Sequence, residues 1–196
     1  MSAPASAAPR ASRTPWVVLG LLAFEPMSGY DLKSTIENTV GHFWQESYGQ
    51  LYPTLRSLRA EGLVTMTSEP DGARVRHVYA ITDPGRAALM AWLEEQPRAT
   101  PVRNELLLKV FFASLADAAA LRRHLRHALE RVDEQRAVLA AIREAIAREP
   151  ADAHQRRCWT LTVDLGLRNA EAVEAWATQA LAELDAEADA GGEARP

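Results

Sequence analysis

The hydrophobic pattern in the first half of the chain switches from helical to strand-like and back, and this order restricts the fold more than any other feature. Apolar residues recur at helical spacing in three short segments before residue 63. Residues 63–67 and 74–82 are instead rich in β-branched and aromatic residues, with a turn signal at Pro70-Asp71-Gly72 between them. A fourth helix is predicted to begin at Thr82-Asp83-Pro84. Three helices, a β-hairpin and a helix form the order of a winged helix-turn-helix domain, whose third helix enters a DNA major groove.

Capping signals locate the first two helices. Thr14 is predicted as the N-cap of the first helix, because Pro15 follows it at the position where a helix tolerates proline. This helix is predicted to end before Pro26. Ser28 and Asp31 have the spacing of a capping box, in which each side chain bonds the backbone N–H of the other residue. The second helix is therefore predicted to begin at this pair.

The third helix, predicted to run from about Ser47 to Gly62, has two different faces. Its buried face carries Leu51, Leu55 and Leu58. The opposite face has small or hydrogen-bonding side chains and one cation, whereas an ordinary solvated helix more often carries Glu and Lys. Small groups let a helix lie deep in a groove, and glutamine and arginine can bond base edges. The candidate DNA contacts on this helix are Gln50, Tyr52, Arg56 and Ser57. Pro53 implies that one backbone hydrogen bond is lost or that the helix begins later.

The hairpin adds two cations to this surface. Arg74 and Arg76 alternate with Val75 and His77, so both arginines lie on one face of the predicted wing. That position suits contacts to DNA phosphates. The alternative is that the two arginines only solvate the surface, because residues 47–82 contain four basic and three acidic side chains and hence a net charge of only +1.

The second half of the chain is predicted to be entirely helical, after a break between Pro97 and Pro101. A short helix over residues 102–113 precedes one of about 30 residues, or roughly 45 Å, with apolar side chains at heptad-like spacing. Another helical pattern follows Pro150. Long helices of this kind usually find packing partners in a second subunit, so a homodimer is predicted. The predicted dimerisation residues are Leu121, Leu125, Val132, Leu139, Ile142, Leu165 and Trp176.

Composition bounds the fold and excludes several classes of protein. With 47 % apolar residues the chain of 196 residues can fill a core, which excludes wholesale disorder. The predicted fold is mainly α-helical with a small β-hairpin: a winged domain over residues 14–96 and a helical dimerisation domain over 101–184. Residues 1–13 and 185–196 lack periodicity and are predicted to be disordered tails. A net charge of −4 excludes a protein that coats nucleic acid through charge alone.

Cysteine, histidine and the apolar runs exclude further functions. Cys158 is the single cysteine, which fits a cytoplasmic protein without disulfides, and it is expected to be a small buried side chain. The longest apolar run, residues 16–24, is about half of the ~20 residues that a membrane span requires, so no membrane association is predicted. His124 and His127 lack a third ligand at suitable spacing, so neither a metal nor another cofactor is predicted.

Three segments of the first domain carry specific motifs: VLGLLAFEPMSGYDL, YGQLYPTLRSLRAEGLV and YAITDPGRAAL. In this order and spacing, over about residues 16 to 95, they closely resemble the PadR family of bacterial transcriptional regulators. The resemblance implies a homodimeric repressor that binds a palindromic operator in double-stranded DNA and dimerises through its C-terminal helices. By position in the motif, it implies DNA contacts from Tyr48, Gln50, Tyr52, Thr54 and Arg56.

The same resemblance suggests how such a repressor is released. Some PadR relatives bind planar aromatic compounds near the dimer interface, which makes Trp92 and Trp159 the candidate contacts for a small aromatic effector, although each also suits ordinary packing. The alternative function is a small-molecule-binding helical protein, or an enzyme, whose winged domain no longer binds DNA. No Gly-x-Ser-x-Gly, phosphate loop or dinucleotide fingerprint supports catalysis, so the chain is not predicted to be an enzyme.

Overall fold

The chain divides into two units, residues 1–98 and 99–196, each with its own packing. The computed structural model describes residues 13–44, 48–71, 74–98 and 103–193. The first unit contains α1 (Thr14–Phe24), β1 (Met27–Ser28), α2 (Gly29–Asn38), α3 (Leu51–Ala60), β2 (Val64–Asp71), β3 (Arg74–Ile81) and α4 (Asp83–Glu94). The second unit contains α5 (Glu105–Phe111), α6 (Ala118–Arg148) and α7 (Ala153–Glu193). The predicted class, mainly helical with a small antiparallel sheet, is confirmed.

The core of the first unit surrounds α1, which contacts α2, α3, α4 and β3. Its Leu19 and Leu22 are fully buried beside Leu32 of α2 and Leu55 of α3. A helix packed on several sides has no room for a polar face, which explains why residues 16–24 form an unbroken apolar run. The helix begins one residue earlier than predicted, because Arg13 occupies the N-cap position and Thr14 lies buried within the first turn.

The sheet has three strands rather than the two that the hairpin pattern predicts, in the order β1-β3-β2. β1 is only two residues long and pairs antiparallel with β3, with Met27 opposite Tyr79 and Ser28 opposite Val78. The hairpin β2–β3, called the wing below, has Val64 opposite Ile81 at its base. Ser28 is thus both the last residue of a strand and the N-cap of α2, so the sheet and α2 meet at one residue.

The start of α3 shows how the helix accommodates Pro53. A 3-10 turn, Tyr48–Gln50, precedes the helix, and α3 itself begins at Leu51, so Pro53 lies in the first turn, where a backbone N–H has no helical partner. The helix ends before Gly62, whose φ of +72° is the left-handed conformation that glycine adopts without strain. Leu63 N donates to Leu58 O at 2.9 Å and Gly62 N to Arg59 O at 3.1 Å, which is the Schellman pattern of helix termination.

The second unit is built on the antiparallel pair α6 and α7. Three ion pairs link them, each with the arginine on α6 and the carboxylate on α7: Arg122–Asp185, Arg136–Glu174 and Arg143–Asp164. The α7 residues buried between the helices are seven apart, Val163, Ala170 and Ala177, and Gly166 lies against Leu139. The predicted helix of about 30 residues is confirmed, since α6 has 31.

The heptad stripe of α6 packs within its own chain. Leu125, Val132 and Leu139, predicted as dimerisation residues, are buried without any second subunit, which corrects their assignment. The reason is that α7 supplies the partner face that the sequence pattern leaves unspecified. Leu121, Ile142 and Trp176 are half-buried, and Leu165 is exposed, so these four keep surface for a partner.

The outer surface of the second unit is apolar on two helices. α5 is shorter than the predicted helix over residues 102–113, and Asn104 caps it by accepting a hydrogen bond from Leu107 N at 3.2 Å. Large apolar side chains stay exposed on and beside α5 and along α7: Leu107, Leu108, Phe111, Phe112, Leu115, Leu161 and Leu165. This is an unusual concentration of exposed apolar side chains for one small unit.

Two further expectations for the second half are wrong. The tail predicted from residue 185 is helical as far as Glu193, and Arg122 Nε bonds Asp185 Oδ1 at 2.9 Å at the start of this segment. Cys158 is exposed rather than buried, with its Sγ 3.9 Å from His154 Nε2. The predicted N-terminal tail falls almost wholly outside the described residues. None of the described helices combines the length and the apolarity needed to cross a membrane.

Candidate nucleic-acid interface

The exposed face of α3 and the turn before it carry most of the predicted DNA contacts. Gln50, Tyr52, Arg56 and Ser57 are all exposed, and Leu51, Leu55 and Leu58 are buried on the opposite face. No acidic residue occurs between Tyr48 and Ala60. The first carboxylate follows at Glu61, whose Oε1 accepts a hydrogen bond from Ser57 Oγ at 2.7 Å. The face therefore presents an amide, a phenol and a guanidinium with no opposing charge along the helix itself.

Thr54 does not belong to this face. It is buried, on the same side of α3 as Leu51 and Leu58. The motif suggested it as a DNA contact, but its position three residues after Leu51 and four before Leu58 places it on the buried stripe. Its contribution is to the packing of α3, and it is removed from the set of candidate contacts.

Tyr52 lies against the start of α2. A Cβ added to Gly29 would come within 2.7 Å of Tyr52 Cε1, so the ring rests directly on the glycine backbone. Even so, 54 % of Tyr52 is exposed. Gly29 is a residue that sequence reasoning missed as part of the site, although the Ser28-Gly29-Tyr30 motif marks its position. Its lack of a side chain is what lets the ring of Tyr52 lie where it does.

The wing brings Arg76 to the same turn. Arg76 Nη2 donates to Asp31 Oδ2, forming an ion pair across 45 residues of sequence. In the strand register, Arg76 is opposite Glu69, and Arg74 is opposite Asp71, so each wing arginine has an acidic residue as its cross-strand neighbour. For Arg74 and Tyr48 the structure describes the backbone only, and their DNA contacts stay predictions.

Asp31 is the second residue that sequence reasoning missed as part of the site. Partial burial by itself raises the pKa of this carboxyl, but hydrogen bonds from Ser28 and Arg76 outweigh that effect and hold the pKa below its ordinary value. Asp31 is therefore ionised at neutral pH. Its partners include Ser28 N at 3.1 Å and Ser28 Oγ at 2.8 Å, and the predicted capping box is confirmed.

The effector candidates Trp92 and Trp159 belong to different units. Trp92 stacks on Trp16 with ring centroids 5.2 Å apart and an angle of 5° between the planes. Beside this pair is a cavity of about 410 Å³, lined by Arg13, Trp16, Trp92, Leu93, Glu95 and Arg98 among others. Trp159 is half-buried on α7 and does not line that cavity. Of the two, Trp92 is the one that lines this cavity.

His124 and His127, for which the sequence predicts no metal, have different surroundings in the structure. His127 Nδ1 lies 3.2 Å from Glu130 Oε2, while His124 lines a separate apolar cavity with Leu108, Phe112 and Leu121. Over residues 13–44, 48–71, 74–98 and 103–193, no three side chains of His, Cys, Asp or Glu are arranged to hold a metal ion.

Two family models match the chain, and each match falls within one of the two units. Residues 18–91 match the model described as "Transcriptional regulator PadR-like family", and residues 102–185 match "Virulence activator alpha C-term". The negative transcriptional regulator PadR of Bacillus subtilis is 36 % identical over 101 residues, which are 50 % of this chain and 56 % of that protein. The matched region thus spans little more than half of this relative.

Solved structures match over nearly the whole chain. Bacillus subtilis PadR in complex with operator DNA has a TM-score of 0.78 at 26 % identity, covering 88 % of this chain and 98 % of that one. The same protein in complex with p-coumaric acid has a TM-score of 0.74 at 26 % identity, covering 89 % and 99 %. The Vibrio cholerae virulence activator AphA is 31 % identical with a TM-score of 0.70, covering 89 % of this chain and 99 % of that one.

Proposed function

The chain belongs to the PadR-like family of transcriptional regulators, and from this premise we propose that it is a homodimeric repressor that binds operator DNA through α3 and is released by a small aromatic molecule. The observation that carries the proposal is the exposed face of α3, with Gln50, Tyr52 and Arg56 and without a carboxylate before Glu61. Bacillus subtilis PadR, which is similar over 88 % of this chain, has been crystallised on its operator. The role proposed here is regulatory rather than catalytic, and it places the protein with the chromosome in the cytoplasm.

Replacing Arg56 by alanine tests the assignment of α3. An arginine that bonds a guanine edge in two places contributes about 1–3 kcal/mol to base discrimination, so we expect Arg56→Ala to weaken operator binding by about tenfold to a hundredfold for each half-site. Tyr52→Ala should weaken binding as well. The measurement is a gel shift on the intergenic DNA that flanks the protein's own gene, with the protected site mapped by footprinting.

Arg126→Ala is the matched control, because it also removes one exposed arginine, in this case from α6 of the other unit. Its operator affinity should stay within twofold of the unsubstituted protein. Equal losses of operator affinity for Arg56→Ala and Arg126→Ala would mean that binding depends only on the total charge of the protein. Unchanged binding by both Arg56→Ala and Tyr52→Ala would show that α3 is not the DNA-contacting helix.

The proposed dimer is assigned to the exposed apolar surface of the second unit rather than to the buried seam between α6 and α7. Leu107 and Phe111 of α5 and Leu161 and Leu165 of α7 are all exposed in the single chain. Burial of such side chains against a second copy stabilises a dimer. A dimer also doubles the number of DNA contacts, which a winged domain with six basic and ten acidic side chains over residues 14–96 needs.

The proposed effector is a planar aromatic carboxylic acid bound beside Trp16 and Trp92. The cavity there, about 410 Å³, has the size of a small-molecule site, and its tryptophans offer apolar ring faces. Arg13 and Arg98 also line it and supply cations for a carboxylate. Among the relatives, Bacillus subtilis PadR binds p-coumaric acid, a molecule of this class.

Arg98→Ala tests this site. We expect the dissociation constant of p-coumaric acid to rise about tenfold, because a hydrogen bond to a charged partner is lost. The neutral amide of the same acid serves as the matched ligand, and its affinity should not respond to the substitution. Calorimetric titration measures both. If Arg98→Ala has no effect and Trp159→Ala abolishes binding, the effector site lies in the second unit and not beside Trp92.

A further inference from the structure

The first turn of α2 contacts both elements that are proposed to touch DNA. The ring of Tyr52, from α3, rests on Gly29, and the guanidinium of Arg76, from the wing, bonds Asp31. Backbone pairing supports the second contact, because Ser28 is opposite Val78 of β3, two residues along the strand from Arg76. The turn over residues 28–31 is therefore in contact with both α3 and the wing.

Hydrogen bonds with Ser28 hold the carboxylate of Asp31 in position, independently of Arg76. Ser28 N and Ser28 Oγ both donate to its Oδ2, and Ser28 Oγ accepts from Asp31 N at 3.2 Å. Rotation of the Asp31 side chain would break this capping box, which stabilises the first turn of the helix. Arg76 thus pairs with a rigid partner, and its own long side chain loses freedom as a result.

Stability alone accounts poorly for this ion pair. The side chains of Arg76 and Asp31 are 46 % and 38 % exposed, and exposed ion pairs contribute little to the stability of a fold. A lone carboxylate in the first turn of α2 would also repel the phosphates of bound DNA. The guanidinium of Arg76 offsets the negative charge of Asp31. The pairing also holds this guanidinium next to the first turn of α2.

We propose that Asp31 is a positioning residue for DNA binding, which holds the guanidinium of Arg76 where it contacts an operator phosphate. Arg76 is the residue that touches DNA, and Asp31 acts only through it. Arginine suits this arrangement because its planar fork carries five N–H donors, enough to bond a carboxylate and a phosphate together. The inference rests on the proposed function, since it requires that the winged unit binds an operator.

A double-mutant cycle on the footprinted operator fragment tests the proposal. In the otherwise unsubstituted chain, we expect Asp31→Asn to weaken binding about tenfold. In the Arg76→Ala background, the same substitution should no longer weaken binding, because the residue through which Asp31 acts is gone and only an unpaired carboxylate is removed. For Arg76→Ala and for Asp31→Asn, the slope of log K against log salt should fall in magnitude by about 2, because one phosphate contact is lost in each half of the dimer.

Two further measurements separate positioning from a merely structural role. Asp31→Asn also weakens the helix cap, so the melting temperature should fall in both backgrounds, unlike the DNA affinity. Glu37→Gln, on the same helix, removes one negative charge from another position and should not weaken binding. The proposal is overturned if Asp31→Asn tightens binding in the otherwise unsubstituted chain, or if it weakens binding equally with and without Arg76. If the unsubstituted chain binds no DNA fragment, the proposed function fails instead.

Discussion

Gly85→Ala should unfold the winged unit at a temperature about 15 °C lower than the unsubstituted protein. A Cβ at position 85 would lie 2.1 Å from the carbonyl oxygen of Leu63, and this oxygen already accepts a hydrogen bond from Thr82 N at 3.1 Å. The start of α4 would have to move away, which also threatens the bond from Thr82 Oγ1 to Gly62 O at 2.8 Å. Overpacking and lost hydrogen bonds together cost about 3–5 kcal/mol, equivalent to at least 12 °C by a rough conversion for a unit of this size.

Gly20→Ala is the matched control, because a Cβ at position 20 meets nothing within 4 Å. Gly20 lies inside α1, so alanine should stabilise the helix by about 0.5–1 kcal/mol through its better helix propensity. Circular dichroism and tryptophan fluorescence follow both transitions. An unchanged melting temperature for Gly85→Ala would mean that α4 does not approach Leu63 as the structure places it.

Leu139→Ala should destabilise the second unit by about 2–5 kcal/mol, the cost of removing a fully buried leucine and leaving a cavity. Leu139 is enclosed by the same chain and lies against Gly166 of α7. The decrease in the free energy of unfolding caused by Leu139→Ala should therefore be the same at low and at high protein concentration. Urea unfolding at several concentrations gives the free energy of unfolding that checks this expectation.

Leu165→Ala is the comparison, since Leu165 is 61 % exposed in the single chain. It should change the stability of the separated chain by less than about 0.5 kcal/mol but raise the dissociation constant of the proposed dimer, measured by analytical ultracentrifugation. If Leu139→Ala acted mainly on dimerisation, or Leu165→Ala mainly on the isolated chain, the division between inner and outer faces of α6 and α7 would be wrong.

Features that depend on neighbouring residues were predictable from the sequence. The capping box at Ser28, the N-cap at Thr82 and the terminating glycine at position 62 each involve hydrogen bonds between residues a few positions apart. The side-chain types that form such bonds are few, so their spacing identifies them. For the same reason the exposed positions of α3 followed from helical periodicity alone.

Features that depend on distant residues were not predictable. β1 has two residues and therefore no period, and its existence depends on β3, about 50 residues later. The pair between Asp31 and Arg76 is equally remote in sequence. The heptad stripe of α6 shows that Leu125 and Leu139 must be covered, but the pattern is the same whether the covering helix is α7 or a second subunit. Only the fold decides between those two.

The wing also has a consequence for the behaviour of the protein in concentrated solution. β1 pairs with only two residues of β3, so among the described strands the outer parts of both β2 and β3 have one edge without a neighbour. Such edges recruit strands from other molecules and start aggregation. Pro70, which has no N–H to offer, and the charged Glu69 lie exposed on β2 and interrupt its edge. The open edge of β2 is thus less able to join the sheets of neighbouring copies.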